Sequence, residues 1–378
     1  MQKNLQVTDG LKDIDFRRAN GIRIVFVLPS PIPFATGGYK MVYEYANRLV
    51  RLGANVRIVY FCAKTGIKEA RKYHLPEVVR RLLVYAITVY RMRNCPCWFP
   101  LSKEVVQSCI YSSSAQIKDA DAIIATAIKT VSYVSQQKSR VLAYFIQDYE
   151  AWGDVTEEEV QTSYRLGMRN IVITHWLERL VHAIAPKSPC ICIPNGLDCS
   201  VFFQTQPIEG RGHHISMLYH RLPHKGSKYG VAAIKLLKKK YPGLRATLFG
   251  TSERPDNLPE WIVYIQNATQ DQLRSIYNNS SVYIYPTIAE GFGLTCVEAM
   301  ACGAALAVSD YEAAHEFAIQ GETALLSPIR DVNALAANVT QYFEDEAMRC
   351  RIAKKGQRKA KTFNWDVSVE KFLHVLVE

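Results

Sequence analysis

The chain has 378 residues, of which 48% are hydrophobic and 21% charged, enough for two ordinary domains with full cores and too apolar for a disordered chain. A formal charge of +11 favours anionic partners (nucleotides, nucleic acid, a phospholipid surface), though a solubilising surface charge is the plainer use of it. The ten cysteines give neither a disulfide framework nor zinc-site spacing, and no apolar run reaches membrane-spanning length.

Residues 1–20 are polar and charged, without the apolar segment of a signal peptide, and read as an N-terminal extension. The first buried-strand pattern is 22–28, followed by the Gly37-Gly38 loop and a helix over about 39–52. Strands are expected at 55–61, 121–126, 140–146, 170–174 and 190–193. The stretch 76–93 stands apart, with Arg80, Arg81, Arg91 and Arg93 around an apolar centre at 82–89. It reads as an amphipathic basic helix for an anionic membrane surface, or as a core helix with arginines at its ends. Cys95 and Cys97, and Cys190 and Cys192, are C-x-C pairs, while Cys62, Cys296 and Cys302 sit in apolar contexts and read as core thiols of a protein in a reducing cytosol.

A second strand–helix series starts at 215–219. A helix follows at 228–240, then strands at 245–249 and 262–265 and a helix at 270–279. Strand 281–285, helix 294–302, strand 304–308 and further helices complete it. Such alternation predicts an α/β protein of two doubly wound, Rossmann-like parallel-sheet domains. Ligands of such sheets bind beyond the carboxyl ends of the strands, which here means a central cleft faced by both domains.

The densest signal is E-G-F-G-L-T-C-V-E over 290–298, placed as strand, glycine loop, helix. Gly291 and Gly293 carry no Cβ to hold a ligand away, and the helix start offers unpaired N–H groups to an anion or to hydroxyls. Glu298, one turn into the helix, points back toward the loop. Earlier, Arg221 and Lys225 in H-R-L-P-H-K-G can clamp a diphosphate, and P-N-G-L-D at 194–198 is a turn at the domain join.

Taken in order, these motifs resemble the retaining nucleotide-sugar glycosyltransferases of the GT-B fold, family 4 (glycosyl transferases group 1), over about residues 21–378. The resemblance rests on Glu290 and Glu298 as the E-x7-E signature, P-N-G-L-D at 194–198, R-L-P-H-K-G at 221–226, Leu248-Phe249-Gly250, Ser309-Asp310, Glu316 with Gly321-Glu322, and Phe363-Asn364-Trp365. It implies an acceptor-binding domain over 21–193 plus a returning helix at 365–378, and a nucleotide-sugar domain over 194–364. It further implies that Arg221 and Lys225 hold the donor pyrophosphate and that Glu298 bonds the ribose. Glu290, with the amides of Phe292, Gly293 and Leu294, would hold the sugar hydroxyls. Gly38 would approach the phosphate, and Gly250 would lie by the base. The donor is a nucleotide sugar, dTDP- or UDP-linked, with no cofactor or metal called for.

One departure carries information. Where the family often has a histidine before an aspartate, the segment at 144–150 has Gln147 before Asp148. In relatives that histidine lies near the sugar 6-hydroxyl, so its loss points to a 6-deoxyhexose. The I-Q-D-Y-E segment and the H-R-L-P-H-K-G loop look most like rhamnosyltransferases of bacterial surface glycans that use dTDP-rhamnose. A UDP-hexose-dependent enzyme and a non-catalytic nucleotide-sugar-binding protein are the alternatives. Asp148 either contacts sugar hydroxyls or caps the segment after it. Gln147, Tyr149 and Trp152 are the acceptor-side candidates, since aromatic faces stack on sugar rings as well as in cores. A glycoside hydrolase would use two carboxylates but not the basic loop. Nucleic acid is not an expected partner, because the positive charge is dispersed.

Overall fold

The computed structural model describes residues 19–62, 76–94, 96 and 98–378. Nearly all of the expected N-terminal extension, and the Cys95/Cys97 pair, lie outside the described residues, as do the side chains of Arg80, Arg81 and Arg93.

The chain divides into two compact units. The first takes in the residues up to Val172, Val181–Ile193 and Asp366–Glu378; the second takes in Ile173–Leu180 and Pro194–Trp365. Each is built on one all-parallel sheet. In the first unit the strands are β1 (Arg23–Leu28), β2 (Asn55–Phe61), β3 (Val106–Ile110), β4 (Ala122–Ala125), β5 (Val141–Ile146), β6 (Arg169–Val172) and β7 (Cys190–Cys192), in the order β3-β2-β1-β4-β5-β6-β7. Their runs of Val, Ile, Phe and Ala are buried on both faces, as a sheet covered by helices on both sides requires. Phe26 sets the register at the centre, opposite Ile58 on one side and Ile124 on the other.

The second unit holds β8 (His214–Leu218), β9 (Arg245–Gly250), β10 (Ile262–Gln266), β11 (Val282–Tyr285), β12 (Ala305–Ser309) and β13 (Ala324–Ser327), in the order β10-β9-β8-β11-β12-β13. Both sheets reverse direction of growth once, between β1 and β4 in the first and between β8 and β11 in the second. In doubly wound sheets ligands ordinarily bind at the carboxyl ends of the strands beside such a switch point.

Two strands were not expected from sequence. The edge strand β3 reads V-Q-S-C-I, with Val106 57% exposed, so no continuous apolar run announces it. The other, β13, is only four residues long and is recruited by pairing with β12. Residues 173–180, placed by sequence with the first domain, group with the second unit. There Glu316 accepts from the His175 amide (2.6 Å) and lies 3.0 Å from His175 Nδ1.

The last helix, Trp365–Val377, belongs to the first unit from Asp366 onward. Phe372 stacks on Tyr45 at 4.2 Å between ring centroids and also contacts Phe26 and Phe145. Burying one such ring is worth about 1.5–3 kcal/mol. Arg140 donates to the Leu376 carbonyl and Arg169 to that of Val375. Trp365 itself lies in the second unit, its ring against Gly196, where a Cβ would come within 2.3 Å.

The helix Glu77–Asn94 is not the core helix that one sequence reading allowed. Val79 (46% exposed), Leu82 (63%), Leu83 and Tyr90 (70%) recur at helical spacing on one exposed face, while Thr88, on the opposite face, is 7% exposed. Among the described residues no helix is long and apolar enough to cross a membrane. Cys62, Cys296 and Cys302 are buried free thiols.

Candidate active site

In the second unit the loop after β8 and the loop after β11 meet at the switch point. The first runs through a 3-10 turn at Pro223–Lys225 to Gly226, which starts the helix Ser227–Lys240. Gly226 has φ +64°, and a Cβ there would stand 1.9 Å from the Pro286 carbonyl oxygen, so only glycine fits. The loops are stitched further by the His224 carbonyl, which accepts from the Ile288 amide (2.7 Å) and from Thr287 Oγ1 (3.1 Å).

This stitching brings together two of the residues singled out by sequence: Lys225 Nζ and Glu290 Oε2 form an ion pair, each side chain about one-fifth exposed. Tyr285, at the end of β11, donates to the same Glu290 oxygen at 2.8 Å. Burial first, then the Glu290 charge, pushes the Tyr285 phenol well above its usual range, so it remains a donor. Arg221 stands exposed at the tip of the same loop.

His220 braces the loop. Ser227 Oγ accepts from the His220 amide (2.8 Å) and donates to its carbonyl (2.9 Å), and His220 Nδ1 accepts from the Leu222 amide (3.1 Å). An acceptor nitrogen is an unprotonated one, and burial followed by Lys225 and His224 lowers the His220 pKa, so the ring is neutral at pH 7. His224 is lowered for the same reasons, burial first and then Lys225.

Gly291, Phe292 and Gly293 are all buried. Gly293 adopts φ +115° and precedes the helix Leu294–Ala301, which has no side-chain cap and no acidic residue in its first turn. The start of that helix therefore presents its amide dipoles uncompensated by a carboxylate. The Phe292 carbonyl accepts from Tyr311 at 2.9 Å, fixing the loop. Glu298, 5% exposed, accepts from Tyr277 Oη at 3.2 Å. The two signature glutamates thus sit on one loop–helix unit with separate tyrosine donors. Gly250 ends β9 against the Tyr219 carbonyl and Tyr264 Oη.

In the first unit, Gly38 lies against Gln147, since a Cβ at 38 would come 3.4 Å from Gln147 Nε2. Gln147 Oε1 and Thr36 Oγ1 are buried without a hydrogen-bond partner among the described residues. Asp148 Oδ1 accepts from the Tyr149 amide at 2.8 Å, so one of its oxygens turns the chain after β5. Trp152 is 44% exposed. By contrast Trp98 and Phe99 pack on Tyr43 at 5.6 and 5.5 Å between ring centroids.

Sequence reasoning did not single out Tyr277 or Tyr285. Both lie in apolar runs, where nothing in the pattern separates a core ring from one whose hydroxyl serves a carboxylate.

Residues 203–359 match the family model described as Glycosyl transferases group 1. The fold is of the GT-B class. Sucrose-phosphate synthase from Thermosynechococcus elongatus superposes with a TM-score of 0.69 over 93% of this chain and 97% of its own, at 17% identity. Anabaena HepE in complex with UDP-glucose gives 0.65 over 93% and 98%, at 15% identity. In sequence the chain is 31% identical over 106 residues to O-antigen chain mannosyltransferase B of Escherichia coli, 28% of this chain and 27% of that one. It is 25% identical over 199 residues to a phosphatidyl-myo-inositol mannosyltransferase of Mycolicibacterium smegmatis, 50% of this chain and 52% of that one. The matches thus span about a quarter to a half of the length of these curated relatives. The group 1 region takes in the Arg221–Lys225 loop, Glu290, the glycine loop and Glu298, and leaves out Gly38 and Gln147.

Proposed function

We propose that the protein is a retaining glycosyltransferase that moves a sugar from a nucleoside diphosphate to a glycan or lipid-linked saccharide in bacterial surface-polysaccharide assembly. The observation that carries this reading is the second switch point, where Lys225 and Glu290 pair beside Arg221 and the uncapped helix start of the group 1 region. Breaking the sugar–phosphate bond builds negative charge on the leaving diphosphate. Arg221, Lys225 and the helix amides supply fixed positive charge there, which acts mainly on the transition state. Glu290, oriented by Tyr285, would hold donor-sugar hydroxyls, and Glu298, oriented by Tyr277, the ribose. The departing phosphate can take the acceptor proton, so no side chain is assigned as base. A purified-protein assay for transfer from dTDP- and UDP-sugars tests the reading; binding of nucleoside diphosphate without transfer to any saccharide acceptor would favour a binding protein instead.

For the donor we infer a 6-deoxyhexose, dTDP-L-rhamnose. What supports it is Gln147 in the place of the family histidine, beside Gly38 and with an unpartnered oxygen. Preference for a UDP-hexose in competition would end this assignment.

We also infer peripheral contact of the helix Glu77–Asn94 with an anionic membrane. Its support is the exposed stripe Val79, Leu82, Leu83 and Tyr90 on a chain of charge +11. Co-sedimentation with phosphatidylglycerol vesicles at low salt, lost in a Leu82→Glu/Tyr90→Glu variant, is the expected result. Failure of the unaltered protein to sediment with them would remove the membrane from the picture.

A further inference from the structure

Glu150 follows the Gln147–Tyr149 segment at the carboxyl end of β5, and no step of the proposed reaction uses it. Its Oε2 accepts from the Ile128 amide at 2.9 Å. Ile128 opens the helix Ile128–Val134, which leaves the carboxyl end of β4, and the N-cap position of that helix is Ala127, whose side chain cannot accept a hydrogen bond. A carboxylate from the neighbouring strand's loop instead satisfies the first free amide of the helix and places negative charge at its N-terminus. The contact joins the loops of two adjacent strands beside the switch point of the first sheet.

We propose that Glu150 is a positioning residue: by capping the Ile128 helix it anchors the Gln147–Trp152 loop, and so holds Gln147 and Asp148 in place for the sugar substrates. This deepens the glycosyltransferase reading and rests on it for the substrate, though not for the anchoring itself.

The surroundings of Glu150 make the anchor costly to charge. Tyr144 on β5 and Tyr164 just beyond the helix Glu157–Ser163 face it, with Asp148 and Tyr149 of its own loop close to Tyr164 and Lys129 on the capped helix. Tyr164 is 1% exposed, and its hydroxyl has no hydrogen-bond partner among the described residues. Burial pushes the Glu150 carboxyl from 4.5 up to about 7, opposed by the Ile128 amide and Lys129. A carboxyl raised on folding adds stability at low pH that is lost as the pH rises through about 7. Above that pH the folded first unit carries a charged, half-buried carboxylate, whose replacement by a neutral group that keeps an acceptor oxygen stabilises it.

Two variants separate anchoring from mere packing. Glu150→Ala removes the acceptor, and Glu150→Gln keeps an acceptor oxygen while removing the charge. Hydrogen exchange measured on the full chain should show the Ile128–Val131 and Gln147–Trp152 amides exchanging about tenfold faster or more in Glu150→Ala, with Glu150→Gln restoring protection. At pH 8.5 Glu150→Gln should melt about 3 °C or more above the unaltered protein, a gap that closes at pH 5. With a saccharide acceptor, Glu150→Ala should lower kcat/KM by about ten- to a hundredfold while leaving nucleoside-diphosphate affinity unchanged. Unchanged exchange in Glu150→Ala, or failure of Glu150→Gln to restore it, would each overturn the proposal. If the unaltered protein transfers no sugar, the functional reading fails, while exchange still decides whether Glu150 anchors the loop.

Discussion

The two switch points are built to different standards of closure. In the second unit the loops after β8 and β11 interlock: Gly226 is pressed on Pro286, the His224 carbonyl takes three donors, and Lys225 is paired with Glu290. In the first unit the corresponding region keeps loose ends, with Thr36 Oγ1 and Gln147 Oε1 buried without a partner among the described residues, although Glu150 ties its loop to the Ile128 amide. The contrast fits the proposed reading, in which the second unit presents one fixed chemistry to a nucleoside diphosphate and the first unit sets which sugars are used.

The sharpest way to break the comparison is to remove the cations of the second unit. Arg221→Ala and Lys225→Ala should each lower kcat by about 100- to 1000-fold, measured under saturating donor. A drop of less than about fivefold would take the diphosphate away from this loop. The Lys225 and Glu290 substitutions should also be strongly non-additive in a double-mutant cycle, since each leaves the other's charge unpaired.

Next in size is Gly226→Ala. A Cβ at φ +64° against Pro286 should cost about 1–3 kcal/mol of stability in denaturant unfolding, as the interlocked loops must separate. The equivalent change in the first unit, Gly38→Ala, meets only the flexible end of Gln147 and should cost stability little while altering donor kinetics. Equal destabilisation by both would erase the proposed difference between the halves.

Tyr277→Phe removes the hydroxyl that donates to Glu298 and should weaken nucleoside-diphosphate binding by about 1–2 kcal/mol in titration calorimetry, with the transfer step itself little affected. The smallest effect belongs to the looser half. Gln147→His should shift the ratio of kcat/KM for dTDP-rhamnose over a 6-hydroxylated hexose donor by about tenfold toward the hexose. No shift in that ratio would detach Gln147 from donor choice.

Much of this was legible in the chain. The strands with continuous β-branched runs, such as 23–28 and 55–61, and the helix 270–279, whose Thr269 cap bonds the Gln272 amide, follow from local pattern and fall where it places them. The Glu290–Glu298 stretch also announced its loop–helix geometry, because glycines at fixed offsets have few structural uses. Less legible were β3 and β13, whose strand character comes from a neighbour's edge rather than from their own residues. The exposed face of the helix Glu77–Asn94 was likewise undecided, since apolar spacing is the same whether a stripe meets a core or solvent.

By itself the sequence determined the alternation of strands and helices, and with it two parallel sheets and the chemical identity of the loops at their carboxyl ends. Those properties depend on residues close together in the chain. Tertiary structure alone decided which groups are coupled: Lys225 to Glu290 across 65 residues, Tyr277 to Glu298, His175 to Glu316 across 141, and Glu150 to the Ile128 amide. A hydrogen bond acts over about 3 Å whatever the separation along the chain, and strand order, which no local pattern encodes, is what brings such distant loops within that reach.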